Sequence, residues 1–159
     1  MDLHNELLRV LEEGNDEERE ILRLTLQAIR QKRERQSAWI SGYMGLSGSL
    51  NEDGSYEFQV PVTPFMMNRA GMVHGGISAT LADSTIGSLV HRHLPEGYGA
   101  VTVELKINYL QPGRGEMLIS RARLLRMGKT LAIATCEIKT DRDTPVCFAT
   151  GTFYIYKKR

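Results

Sequence analysis

The stretch that opens at His74 and ends before Pro95 constrains this fold more than any other part of the chain. His74-Gly75-Gly76 leads into Ile77-Ser78-Ala79-Thr80-Leu81-Ala82-Asp83-Ser84-Thr85-Ile86-Gly87, small and apolar apart from one carboxylate. Gly76, Ala79, Asp83 and Gly87 fall on one helical stripe, and Ala82, Ile86, Leu89 and Val90 form an apolar stripe beside it. A helix with so little polar surface has to be enclosed by other elements. Asp83 has no charged neighbour within four residues on either side, so it reads as a buried carboxylate with a partner or a chemical purpose. The free amides at the glycine end carry partial positive charge, which makes Gly75 and Gly76 candidate donors to an oxygen that gains negative charge.

What surrounds this helix reads as strands. Tyr43 to Leu50 and Tyr56 to Val62 flank the turn signal Asn51-Glu52-Asp53-Gly54. After the helix come Ala100 to Leu110, Glu116 to Arg126, Thr130 to Thr140 and Val146 to Tyr156, separated by glycine, proline and aspartate turns. A lone helix among consecutive strands predicts an α+β architecture, an antiparallel sheet wrapped around a central helix. Residues 1–38 differ in texture. Leu3, Leu7, Leu8, Val10 and Leu11 keep helical spacing up to Gly14, and Asn15 or Asp16 can cap a second helix carrying Ile21 to Ile29. The division predicted is a helical extension over 1–38 and one domain over 39–159.

A net charge of +1 over 159 residues gives no electrostatic warrant for a nucleic-acid or membrane-surface protein. The N-terminus lacks the basic start and apolar core of a signal peptide, and no window reaches membrane-spanning length, so the expected location is cytoplasmic. Cys136 and Cys147 lie in strand-like runs without metal-ligand spacing and read as core thiols. His91 and His93 diverge on a helix, which argues against a metal.

Asn68-Arg69-Ala70-Gly71-Met72-Val73-His74-Gly75-Gly76, then Leu81-Ala82-Asp83, then Val101-Thr102-Val103-Glu104-Leu105-Lys106-Ile107-Asn108-Tyr109, and last Arg126-Met127-Gly128-Lys129-Thr130, form an ordered set. Over roughly residues 39–159 this set resembles the hotdog-fold acyl-CoA thioesterases of the phenylacetate-pathway type. The resemblance implies that the Gly75 amide polarises the thioester carbonyl and that Asp83 is nucleophile or general base. It implies that Asn68 and His74 help hold substrate or water and that Thr102 positions water. Gly76, Arg69, Arg126, Gly128, Lys129 and Thr130 are the expected contacts to substrate and coenzyme A, with Arg114, Arg121 and Arg123 as further cations near the phosphates. Phe65, Met66, Met67, Met72 and Tyr98 are the expected acyl-pocket side chains. No cofactor or metal is implied.

Gly75 and Asp83 are eight residues apart, about 12 Å along a helix, whereas reacting atoms must approach to about 3.5 Å. Both can serve one thioester only if they come from different copies, so a homodimer, alone or within a tetramer, is expected. The alternative is a non-catalytic acyl-CoA-binding hotdog regulator, which the basic run Arg30 to Arg35 suggests. Two short helices are too little chain for a helix-turn-helix domain, and a regulator has no need of the helix carboxylate. A hotdog dehydratase would want a paired His and acid on the helix, a pattern absent here.

Overall fold

The structure, a computed structural model, describes residues 2–158. They form two compact units: the chain up to Leu46 with Thr63–Met66, and Ser47–Val62 with the chain from Met67 onward.

The second unit is a six-stranded antiparallel sheet and one long helix. The strands are β1 (Ser47–Leu50), β2 (Tyr56–Pro61), β3 (Tyr98–Tyr109), β4 (Met117–Met127), β5 (Leu131–Thr140) and β6 (Pro145–Lys157), in spatial order β1-β2-β4-β5-β6-β3. The helix, α4 in chain order, spans Gly75–Arg92 and lies against β2 through β6, the wrapped-helix arrangement expected from sequence. Its apolar stripe explains the packing. Leu81, Ile86, Leu89 and Val90 are each 0% exposed, and burial of such side chains is worth about 1.5–3 kcal/mol apiece. The facing side of the sheet is built of small residues, Ala122, Ala132, Ala134, Ala149 and Gly151, which lets the helix settle close. A Cβ on Gly151 would stand 3.0 Å from Ile86 Cδ1. One polar chain crosses this core: Thr85 Oγ1 donates to the Leu81 carbonyl at 2.6 Å, Ser120 Oγ lies 2.6 Å from Thr85 Oγ1, and Cys136 Sγ lies 3.2 Å from Ser120 Oγ. Both cysteines are buried and unpaired, and burial pushes Cys136 up to about 11 and Cys147 up to about 12, so both stay protonated at neutral pH.

β3 carries a bulge that matters for the site. Its register against β6 shifts between Thr102 and Glu104. Thr102 and Tyr109 are seven residues apart, so strict alternation would send them to opposite faces. The extra residue brings both to the helix side, where Thr102 meets Asp83 and Tyr109 meets Gly75.

The first unit holds α1 (Leu3–Glu13), α2 (Asp16–Arg35), α3 (Trp39–Tyr43) and a 3-10 turn at Pro64–Met66. Asn15 caps α2 through a capping box with Glu18. The apolar stripe of α1 stays open, with Leu3 67% and Leu11 56% exposed. The strand pattern read from Tyr43 is corrected here: Trp39–Tyr43 is helical and the strand begins only at Ser47. Docking on α2 overrides local propensity, because Gly42 meets the Ala28 backbone so closely that a Cβ would stand 2.6 Å from Ala28 Cα. Gly45 then turns the chain with φ of 61°. Gly42→Val is therefore expected to lower stability by about 1–3 kcal/mol in urea titrations. Among the described residues no helix is long and apolar enough to cross a membrane.

Candidate active site

The loop before α4 is organised by Asn68. Its Oδ1 accepts from the Ala70 amide at 2.9 Å and the Met72 amide at 3.2 Å, while its own amide donates to the Met72 carbonyl at 2.8 Å. This tight turn, with Gly71 at φ of 67°, delivers His74 to the N-cap of α4. There His74 Nδ1 accepts from the Gly76 amide at 2.9 Å. An accepting Nδ1 in a neutral ring leaves the proton on Nε2, which is free to donate outward. The same bond takes the Gly76 amide out of the set of free donors. Among the described residues, the Gly75 amide has no protein acceptor.

Gly75 opens onto a cleft of about 310 Å³ lined by Asn68, Met72, Val73, Ser78, Tyr109 and the segment Leu110 to Gly113 with Val146. The walls are mostly apolar and hold no charged side chain, which suits an uncharged acyl group. Of the five side chains expected in an acyl pocket, only Met72 lines this cleft. Phe65 stacks on Tyr43 at 5.5 Å, Met66 is fully buried at the 3-10 turn, Met67 bridges to Val73 through its backbone, and Tyr98 opens β3 opposite Lys157. Tyr109 and Ser78 were missed as site residues. Tyr109 stood in the matched Asn108-Tyr109 pair, and nothing in the sequence indicated that its ring reaches the helix start.

Asp83 lies two turns further along α4. It is half-buried rather than enclosed, on a stripe with Gly76, Ala79 and Gly87, none of which is fully buried. Its Oδ1 accepts from Thr102 Oγ1 at 2.7 Å, which fixes the carboxylate and leaves the second oxygen available. The unbroken helix between Gly75 and Asp83 keeps the amide and the carboxylate about 12 Å apart within one chain.

The cations divide. Arg121 is 2.6 Å from Glu57 and Arg123 is 2.7 Å from Asp53. They alternate with Ser120 and Ala122, which face the helix, so both point away from it and toward these acidic partners. A groove of about 360 Å³ on that outer face has its Arg121 and Lys139 already matched by Glu57, Glu137 and Asp143. Arg69, Arg114, Arg126 and Lys129 are exposed and form no ion pair among the described residues. Gly128 donates to the Leu131 carbonyl and Thr130 accepts from the Ile155 amide, so Gly128 to Thr130 form the tight β4–β5 turn, with Arg126 at the end of β4 leading into it. Register places this turn at the Asp83 end: Ala132 faces Phe153, which faces Thr102. Arg69 and Gly76 lie at the Gly75 end. His91 and His93 are each bonded through Nδ1 to backbone carbonyls of α4.

The chain is similar in sequence and fold to known proteins. A family profile described as thioesterase superfamily matches residues 70–147. A Halobacterium salinarum protein named as an esterase is 32% identical over 126 residues, covering 72% of this chain and 83% of its own length. Mouse acyl-coenzyme A thioesterase 13 is 36% identical over 85 residues, 53% of this chain, and the chain spans 59% of that relative. Among solved structures, a Bacillus halodurans protein crystallised with CoA superposes with a TM-score of 0.86 at 33% identity, covering 94% of this chain and 99% of that one.

Proposed function

The chain belongs to the thioesterase superfamily and is a thioester hydrolase, and from that premise we propose that it cleaves acyl-CoA to free acid and CoA in sites shared by two copies of the chain. The observation that carries this reading is a division of labour along one rigid helix. A donor without an acceptor, the Gly75 amide, opens on an apolar cleft, and the carboxylate held by Thr102 stands two turns away. Neither end is complete alone.

In the proposed site the acyl group enters the cleft of one subunit with its carbonyl oxygen on the Gly75 amide. Asp83 of the second subunit approaches the carbonyl carbon. It either removes a proton from water as the C–O bond forms, or attacks directly to give an anhydride that water then opens. Both routes raise negative charge on the carbonyl oxygen, which a preset amide stabilises, and both expel the CoA sulfur as the C–S bond breaks. His74 Nε2 and the Asn68 amide group are the further donors at the cleft end. Because the β4–β5 turn lies beside Asp83, Arg126, Gly128, Lys129 and Thr130 would hold CoA from the subunit that supplies Asp83. Arg69 and Gly76 would come from the other. Exposed apolar side chains on both faces of edge strand β3, Val101 at 48%, Val103 at 57% and Tyr109 at 55%, support a second copy there.

The test is thiol release by the purified protein from a panel of aliphatic and aromatic acyl-CoAs. Release from none of them overturns the reading, and DNA binding modulated by acyl-CoA would favour a regulator instead. No residue of the proposed site lies within residues 1–37, so deleting them is expected to lower thermal stability or change assembly size while folded protein keeps measurable hydrolysis. Calorimetry, sizing and the same assay check it.

A further inference from the structure

The two glycines that open α4 pose a mechanical problem for a preset donor. Consecutive glycines restrict the backbone least of any pair, so the peptide unit joining Gly75 to Gly76 has no side chain of its own to fix its tilt. The Gly75 N–H lies in the preceding peptide unit, joined to this one through the Gly75 Cα, so holding that Cα and its carbonyl limits the Gly75 torsions that decide where the N–H points. In this structure the unit is pinned at both polar atoms by side chains. Its N–H, from Gly76, donates to His74 Nδ1 at 2.9 Å, and its oxygen, from Gly75, accepts from Tyr109 Oη at 2.8 Å.

The Tyr109 contact has two parts. The hydroxyl reaches the Gly75 carbonyl from the last residue of β3, 34 positions later in the chain. The ring packs on the bare Cα: a Cβ at Gly75 would stand 3.3 Å from Cε1, Cζ and Oη of Tyr109 together. Tyr109 is 55% exposed, so the ring is not held there by core burial. Its helix-side orientation depends on the β3 bulge, without which it and Thr102 could not both face α4. Ring and glycine also share the cleft wall.

We infer that Tyr109 is a positioning residue for the thioester reaction, holding the Gly75 Cα and carbonyl so that the Gly75 N–H points into the cleft before substrate arrives. The inference rests on the proposed hydrolysis and deepens it. Preorganisation of this kind acts on the transition state rather than on ground-state binding, so its signature is in kcat.

Tyr109→Phe keeps the ring and removes only the hydroxyl. With the acyl-CoA that wild type cleaves fastest, kcat should fall about tenfold while KM stays within about twofold and the melting temperature is unchanged. Gly75→Ala should shift the ring by a few tenths of an ångström and strain the same bond, so adding Tyr109→Phe to Gly75→Ala should cost less than the tenfold it costs alone. Unchanged kcat in Tyr109→Phe, a rise in KM alone, or losses that multiply in the double variant would each overturn the positioning role while leaving the hydrolase reading intact. A wild-type protein that cleaves no acyl-CoA would remove both.

Discussion

Asp83→Asn is expected to lower kcat by about 10²–10⁴-fold with acyl-CoA binding largely intact. The substitution keeps the shape of the side chain and its acceptor for Thr102 Oγ1, now an amide oxygen in place of Oδ1. What disappears is the charge, and both direct attack and water activation require it. The helix should tolerate the change, since Asp83 is half-buried on a stripe of small residues and forms no ion pair among the described residues. Steady-state kinetics with the best acyl-CoA and calorimetric binding of a non-hydrolysable thioether analogue check the two halves. Near-normal turnover would remove Asp83 from the mechanism.

The second large effect is recovery of activity. Gly75→Pro deletes the one amide assigned to the oxyanion, at a place where the backbone already suits proline. Gly75 is the first residue of α4, the position proline favours in helices, and His74 before it sits at φ of −62° and ψ of 134°, the extended conformation proline imposes on its predecessor. The added ring atoms require the Tyr109 phenol to give by a few tenths of an ångström, given the 3.3 Å approach. Gly75→Pro alone and Asp83→Asn alone should each be nearly inactive. A purified mixed dimer of the two should recover about half of wild-type turnover, because one of its two sites combines the intact Gly75 of one subunit with the intact Asp83 of the other. If each chain used its own pair of residues, every site in the mixed dimer would be broken. Absence of recovery in verified mixed dimers, with circular dichroism confirming folded subunits, rejects the shared site.

The helix and its enclosure were legible in the sequence because a run of small apolar residues with one carboxylate has few ways to fold. Strand limits agree within a residue or two from β3 to β6, where proline, glycine and aspartate mark every turn. Three features were hidden because they depend on pairing across long stretches of chain. Trp39–Tyr43 is helical only because Gly42 fits against Ala28. Arg121 and Arg123 looked available for phosphates, and only the β2–β4 register brings Glu57 and Asp53 beside them. Tyr109 and Thr102 have opposite parity in the sequence, which concealed that they share a face.

That last feature turns β3 into a counted segment rather than a merely patterned one. Between the residue that meets the Asp83 carboxylate and the residue that meets the Gly75 carbonyl, the chain length is fixed by a single unpaired position. Divergence by exchange of one side chain for another leaves that phase untouched. Loss or gain of one residue there swings either Thr102 or Tyr109 to the far side of the sheet and uncouples the two halves of the site at a stroke, with no change to any residue that would touch substrate. Libraries built to retune such an enzyme should therefore vary the letters of β3 freely and hold its length constant.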